Sequence, residues 1–109
     1  MVRSTRLVSL VLVLVFALPL AAEELSQKSL QGSWLIVEFG GAPDSEGDRW
    51  EFEGNRFYQV ISGRRIPPDE FTVVPGTIDL GYAKIEVKSF DGRTMEAVMA
   101  GFHYKLVKQ

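Results

Sequence analysis

The chain has 109 residues, 46% of them hydrophobic, with twelve Lys and Arg against fourteen Asp and Glu, one histidine and no cysteine. That is room for one modest domain. The mildly acidic, interspersed charge excludes a nucleic-acid binder resting on a basic face, and the missing cysteine excludes disulfides, thiol chemistry and thiolate metal sites.

Residues 1–22 have the three parts of a secretory signal peptide. Arg3 and Arg6 open it, residues 7–20 are uncharged and apolar, and Leu20-Ala21-Ala22 offers a small-residue cleavage site before Glu23. The apolar stretch is shorter than the ~20 residues a helix needs to cross a bilayer, and Pro19 suits a signal's exit. Cleavage after Ala22 leaves ten Lys and Arg against the same fourteen acids, with no cysteine to carry a lipid. The expectation is an exported protein, periplasmic or extracellular and not membrane-embedded once the signal is removed.

Residues 23–29 are polar and read as a flexible lead-in with at most one helical turn. From Leu30 onward, alternation, β-branched residues and aromatics dominate, with Gly-containing turns at short intervals, the pattern of an all-β sandwich or barrel. Gly32-Ser33-Trp34 opens a first strand over 33–39, apolar on both faces except at Glu38, so its inward face is ambiguous. Residues 40–47 form a long polar loop, expected to be the most mobile part of the domain.

Arg49–Glu53 and Arg56–Ile61 flank Gly54-Asn55, a two-residue hairpin turn. That register pairs Phe52 with Phe57 and Trp50 with Gln59, so one face carries Trp50, Phe52, Phe57, Gln59 and Ile61. Gln59 is a lone polar group among aromatics. Residues 62–68 read as a second loop, carrying Arg64-Arg65. Strands 70–74 and 77–80 flank Pro75-Gly76, which sets Val73 beside Ile78 and Phe71 beside Leu80.

The last three strands constrain one another. A three-residue loop at Phe90-Asp91-Gly92 sets Val87 against Met95 and Ile85 against Ala97. A tight turn at Ala100-Gly101 then places Met99 with Phe102, Ala97 with Tyr104 and Met95 with Leu106, so both hairpins share one inner set. Glu96 faces Lys105 outside, and His103 sits outside beside Val98.

The fold expected is an all-β, small antiparallel up-and-down barrel of about eight short strands over residues 30–109. Eight is the number that closes a barrel whose interior is filled or holds one small ligand. Closure would pair the Trp34 strand with Phe102–Lys108. The strands are too short, and their outer faces too charged, for an outer-membrane barrel.

Gly32-Ser33-Trp34 resembles the Gly-x-Trp signature of lipocalins. Together with the hairpin 49–57 and Gly76-Thr77-Ile78-Asp79-Leu80, the pattern resembles the small lipocalin-like domains of secreted bacterial proteins, common in planctomycetes. The resemblance implies an antiparallel barrel and export, without a defined activity. It also implies an arginine from the last strand over the signature tryptophan; this sequence departs from that pattern and offers Lys105 and Lys108 in its place.

Little chemistry stands out. His103 is alone, so a transition-metal site lacks its usual ligands. Asp44, Glu46 and Asp48 match no complete calcium-loop spacing and read as a solvated loop. No serine, Asp69-Glu70 or Asp91 has a partner in a catalytic pattern. No catalytic activity, cofactor or metal is expected.

The inner aromatics admit two readings, a filled barrel or an apolar pocket oriented by a few polar groups. In so short a chain, bulky side chains favour filling. If a pocket exists, its candidate ligand-binding residues are Trp50, Phe57, Gln59, Phe71 and Tyr104, with Arg64 and Arg65 offering a basic pair at the mouth. The leading functional expectation is a small apolar or amphipathic ligand. The alternative is an envelope or extracellular protein-interaction module using Arg64-Arg65 and the 40–47 loop, its partner unknown.

Overall fold

The structure, a computed structural model, describes residues 23–109; the proposed signal peptide at 1–22 lies outside the described residues. One short helix, α1 (Gln27–Leu30), precedes eleven strand segments. They are β1 (Gly32–Phe39), β2 (Ala42–Pro43), β3 (Arg49–Glu53), β4 (Arg56–Ile61), β5 (Arg64–Arg65), β6 (Asp69–Glu70), β7 (Thr72–Val74), β8 (Thr77–Asp79), β9 (Lys84–Phe90), β10 (Thr94–Met99) and β11 (Phe102–Lys108).

All pair antiparallel in one curled, barrel-like sheet with neighbours in the order β5-β4-β3-β1-β11-β10-β9-β8-β7. Segments β6 and β7 are separated only by Phe71. The first pairs with β4 and the second with β8, so residues 69–74 touch both ends of the sheet. The expected pairing of the Trp34 strand with the last strand is present, Trp34 opposite Lys108 and Ile36 opposite Leu106.

Three hairpins form in the registers that their turns dictate. Phe52 lies opposite Phe57 and Trp50 opposite Gln59, Val73 opposite Ile78, and Ala97 opposite Tyr104. The β9–β10 hairpin differs from expectation. Phe90 lies opposite Met95, and Val87 opposite Ala97 rather than Met95. The Asp91 carboxylate accepts hydrogen bonds from the Arg93 and Thr94 amides at 2.8 and 2.7 Å, which lengthens the turn beyond three residues. A bulge at Lys88 follows, between the Ser89–Glu96 and Val87–Ala97 pairs. Past that bulge, the net displacement is two residues. An even shift preserves the faces, so Ala97 still points inward, and alternation along β10 places Met95 on the same side; both are buried.

A second bulge decides the ambiguous face of β1. Ile36 pairs with Leu106 but Glu38 with Lys105, leaving Val37 as the extra residue. Strict alternation from the buried Trp34 and Ile36 would aim Glu38 into the core. The extra residue turns Glu38 outward beside Lys105, at 3.7 Å, and sets Phe39 opposite Tyr104. Glu96 lies opposite Lys105 as expected, and its carboxylate accepts from the Ser89 hydroxyl.

The core is a run of buried aromatics and aliphatics: Trp34, Trp50, Phe52 and Phe57 among the aromatics, with Leu30, Ile78, Ile85, Met95 and Leu106 almost wholly sequestered. Phe52 packs edge-on to Phe71 at 5.3 Å, and Trp50 edge-on to Phe57 at 5.6 Å.

The lead-in ends in the one helical turn allowed for it, and that turn packs on the sheet. Ser26 and Ser29 form a reciprocal capping box at the start of α1, and Leu30 is buried in the core. The helix's last carbonyls would otherwise lack partners. Trp34 Nε1 donates to the Leu30 carbonyl at 2.8 Å, and Lys108 Nζ to the Ser29 carbonyl at 3.0 Å. The same Nζ lies 5.4 Å from the Trp34 ring centroid, a cation–π approach. Gly32 has φ +119°, a conformation that favours glycine, and it passes beside the Lys108 stem. The glycine and tryptophan of the opening motif thus build one end of the barrel-like sheet.

Candidate binding site

The opposite end is open. There β1 finishes, β3 begins, β4 finishes and β11 begins, so antiparallel order brings Phe39, Trp50, Ile61 and Tyr104 to one rim. They line a cleft of about 330 Å³ with Ile36 and Gln59, a volume at the lower end of small-molecule sites. The aromatic wall is continuous. Trp50 and Tyr104 stand 4.8 Å apart between ring centroids, and Phe39 meets Tyr104 edge-on at 5.1 Å.

Two polar groups lie along this wall. Gln59 and the Tyr104 hydroxyl make no side-chain hydrogen bond to the described residues. Burial raises the Tyr104 pKa, which keeps the phenol neutral and able both to donate and to accept.

The 40–48 segment forms the rest of the rim and is anchored to the bulge in β1. Short β2 pairs with Glu38 and Phe39. The Asp44 amide donates to the Val37 carbonyl, and the Ile36 amide to the Asp48 carbonyl, each at 2.9 Å. This brings Asp44, Glu46 and Asp48 to the cleft mouth. The Asp48 carboxylate also receives the Ser62 amide at 3.0 Å, tying the segment to the β4–β5 turn. Among the described residues no three His, Asp or Glu side chains group as a metal site.

The seven candidate ligand-binding residues therefore separate. Trp50, Gln59 and Tyr104 come together in the cleft. Phe57 and Phe71 lie in the core, at 1% and 3% exposure. Arg64 and Arg65 form β5 rather than a loop, paired on β4. Arg65 bridges Glu51 and Glu53 and stacks 3.6 Å from the Tyr58 ring centroid. The hydrogen bond to Glu53 raises its pKa foremost. Its guanidinium holds β5 to the outer face, and neither arginine lines the cleft.

Ile36, Phe39 and the three acids were missed as site residues. The available signal was Glu38, a carboxylate four positions after an inward tryptophan, which strict alternation cannot accommodate. Among other groups, His103 is exposed opposite Val98, and Asp69 accepts from the Tyr82 hydroxyl at 3.1 Å, raising the Tyr82 pKa.

Fold and site together define an all-β, barrel-like antiparallel domain, closed by a helical turn at one end and holding an aromatic cleft at the other. No family model, no curated protein and no solved structure matches the chain. No helix among the described residues is long and apolar enough to cross a membrane.

Proposed function

We infer that this chain is an exported, non-catalytic, lipocalin-like barrel that binds a small apolar or amphipathic molecule at its open end. The observation carrying this reading is the cleft itself, where Phe39, Ile61 and Tyr104 offer apolar surface above the buried Trp50, and Gln59 and the Tyr104 hydroxyl offer polar groups without protein partners. Apolar walls with a few orienting polar groups are what small-molecule sites have in common.

Three features support the lipocalin-like part. Nearly every strand neighbours its successor. Residues 69–74 touch both sheet ends, as closure of eight strands requires, with 69–74 counted as one and the two-residue β2 and β5 left out. A cation, Lys108, stands over the tryptophan of the opening motif. Export rests on the three-part leader in residues 1–22. A protein-interaction role through Arg64-Arg65 is less supported, because Arg65 is already committed to Glu51 and Glu53.

The test is titration with an uncharged, environment-sensitive apolar dye, followed by dye emission and tryptophan fluorescence. Saturable binding is expected, and Trp50→Phe should keep the wall while removing most of the tryptophan response. Absence of saturable dye binding, with no small molecule copurifying in native mass spectrometry, refutes the reading.

A further inference from the structure

The cleft is chemically asymmetric. Its wall is a staircase of aromatic rings climbing from the core to solvent. Trp50 is 1% exposed, Tyr104 half-buried and Phe39 42% exposed; Phe102, outside the lining, stacks on Phe39 at 5.3 Å. Its mouth is anionic. Asp44, Glu46 and Asp48 have no ion-pair partner among the described residues. Arg49 also contributes to the cleft lining, but its Nη2 lies 3.4 Å from the Glu51 carboxylate, which leaves the three acids in excess at the mouth. The carboxylates do not converge as a metal-holding group, so their field spreads across the mouth instead of focusing on one point.

A spread of negative charge above exposed aromatic faces is complementary to a diffuse organic cation. An ammonium is attracted by ring faces as well as by carboxylates, and desolvation strengthens the ring contribution. An anionic head at the same place would meet three carboxylates against the single cation of the lining, Arg49, whose guanidinium is already beside Glu51. We propose that the cleft selects a cationic amphiphile, an alkylammonium whose chain lies along Ile61 and Tyr104 above Trp50 and whose head sits by Phe39 among Asp44, Glu46 and Asp48. The proposal rests on the binding role inferred above and adds the charge of the ligand.

The test uses protein purified after expression of the complete chain and three probes sharing an octyl chain: octyltrimethylammonium, octyl glucoside and octyl sulfate. Each is titrated below its micelle concentration by calorimetry and tryptophan fluorescence. The ammonium should bind about tenfold more tightly than the glucoside, from three carboxylates at the mouth, Glu46 exposed and Asp44 and Asp48 half-buried, each of modest individual effect, and the sulfate more weakly than either. Added salt should shrink the preference. Asp44→Asn/Glu46→Gln should bring the ammonium-to-glucoside ratio near one. Exposed Glu46→Lys provides a second, single-site variant with the same expected direction, while Glu86→Gln on β9 should leave the ratio unchanged. Equal binding of ammonium and glucoside, or tighter sulfate, overturns charge selection and leaves the apolar cleft standing. Saturable binding of none of the three overturns both.

Discussion

Lys108 should be the surface-reaching residue whose loss most weakens the closed end. Its ammonium donates to the Ser29 carbonyl at 3.0 Å and stands 5.4 Å from the Trp34 ring centroid. Lys108→Met keeps most of the aliphatic stem but removes both interactions. A hydrogen bond from a charged group contributes about 1.5–3 kcal/mol, and a carbonyl left unsatisfied in a buried place costs a similar amount rather than adding to it. Ser29 is 6% exposed, so water cannot fully replace the donor. The cation–π contact contributes about 0.5–1 kcal/mol more. The expected loss is about 2–3 kcal/mol, or about 8–20 °C in Tm for a domain of this size. Lys105→Met removes only a 3.7 Å contact to Glu38 between two side chains that are each 43% exposed, for which less than about 0.5 kcal/mol is expected. Urea titration followed by circular dichroism, with thermal melts alongside, compares the two. Lys108→Arg, which keeps a cation and donors, should recover part of the loss. Equal stability of Lys108→Met and Lys105→Met would refute the assignment of Lys108 as the tie between the last strand, α1 and Trp34.

Two further outcomes follow from the turns and bulges. Hydrogen bonds from the Thr94 and Arg93 amides, the Thr94 bond foremost, lower the Asp91 pKa. A carboxylate with a depressed folded pKa stabilises fully above its unfolded pKa and loses that contribution as pH falls through the folded value. Asp91→Ala should therefore be less stable than the parent at about pH 6, with the difference shrinking toward about pH 3 in urea titrations; a pH-independent difference would count against the turn's role. Deletion of Val37 removes the extra residue of β1. Either Glu38 turns inward, at a cost of several kcal/mol for a buried carboxylate, or the β1–β11 register slips. In both cases dye binding at the cleft should be lost before global unfolding, and a deletion variant with unchanged stability and binding would show the bulge to be dispensable.

The elements legible in the sequence share one property: a short turn joins their strands. Gly54-Asn55, Pro75-Gly76 and Ala100-Gly101 each set a register within a few residues, and alternation then assigns most faces, so Trp50, Phe52, Phe57, Ala97 and Leu106 were readable as inward. Ile61 and Phe102, also read as inward, are 45% and 52% exposed at the strand ends, and Val60 is buried instead. The meeting of Trp34 with the last strand was readable too, because a run of antiparallel hairpins leaves those two edges to find each other. Even the misread β9–β10 turn kept its faces, since beyond the Lys88 bulge an error of two residues changes neighbours without changing sides.

What the tertiary structure alone decided depends on partners distant along the chain. The bulge at Val37 exists because Glu38 must avoid the core while Trp34 and Ile36 remain in it, and Lys105 of the last strand supplies its outer partner. That one extra residue turns Phe39 toward Tyr104 and anchors the acidic segment at the cleft mouth. The division of the aromatics has the same origin. Phe57, Phe71 and Trp50 all fill the interior, but Trp50 also floors the cleft at the uncovered end, where Tyr104 is only half-buried. Arg65 was readable as a cation but not as a committed one, because Glu51 and Glu53 reach it only after β5 folds back on β4. Local sequence determines faces through a period of two; which end of the sheet is plugged and which stays open follows from contacts made only when the sheet curls.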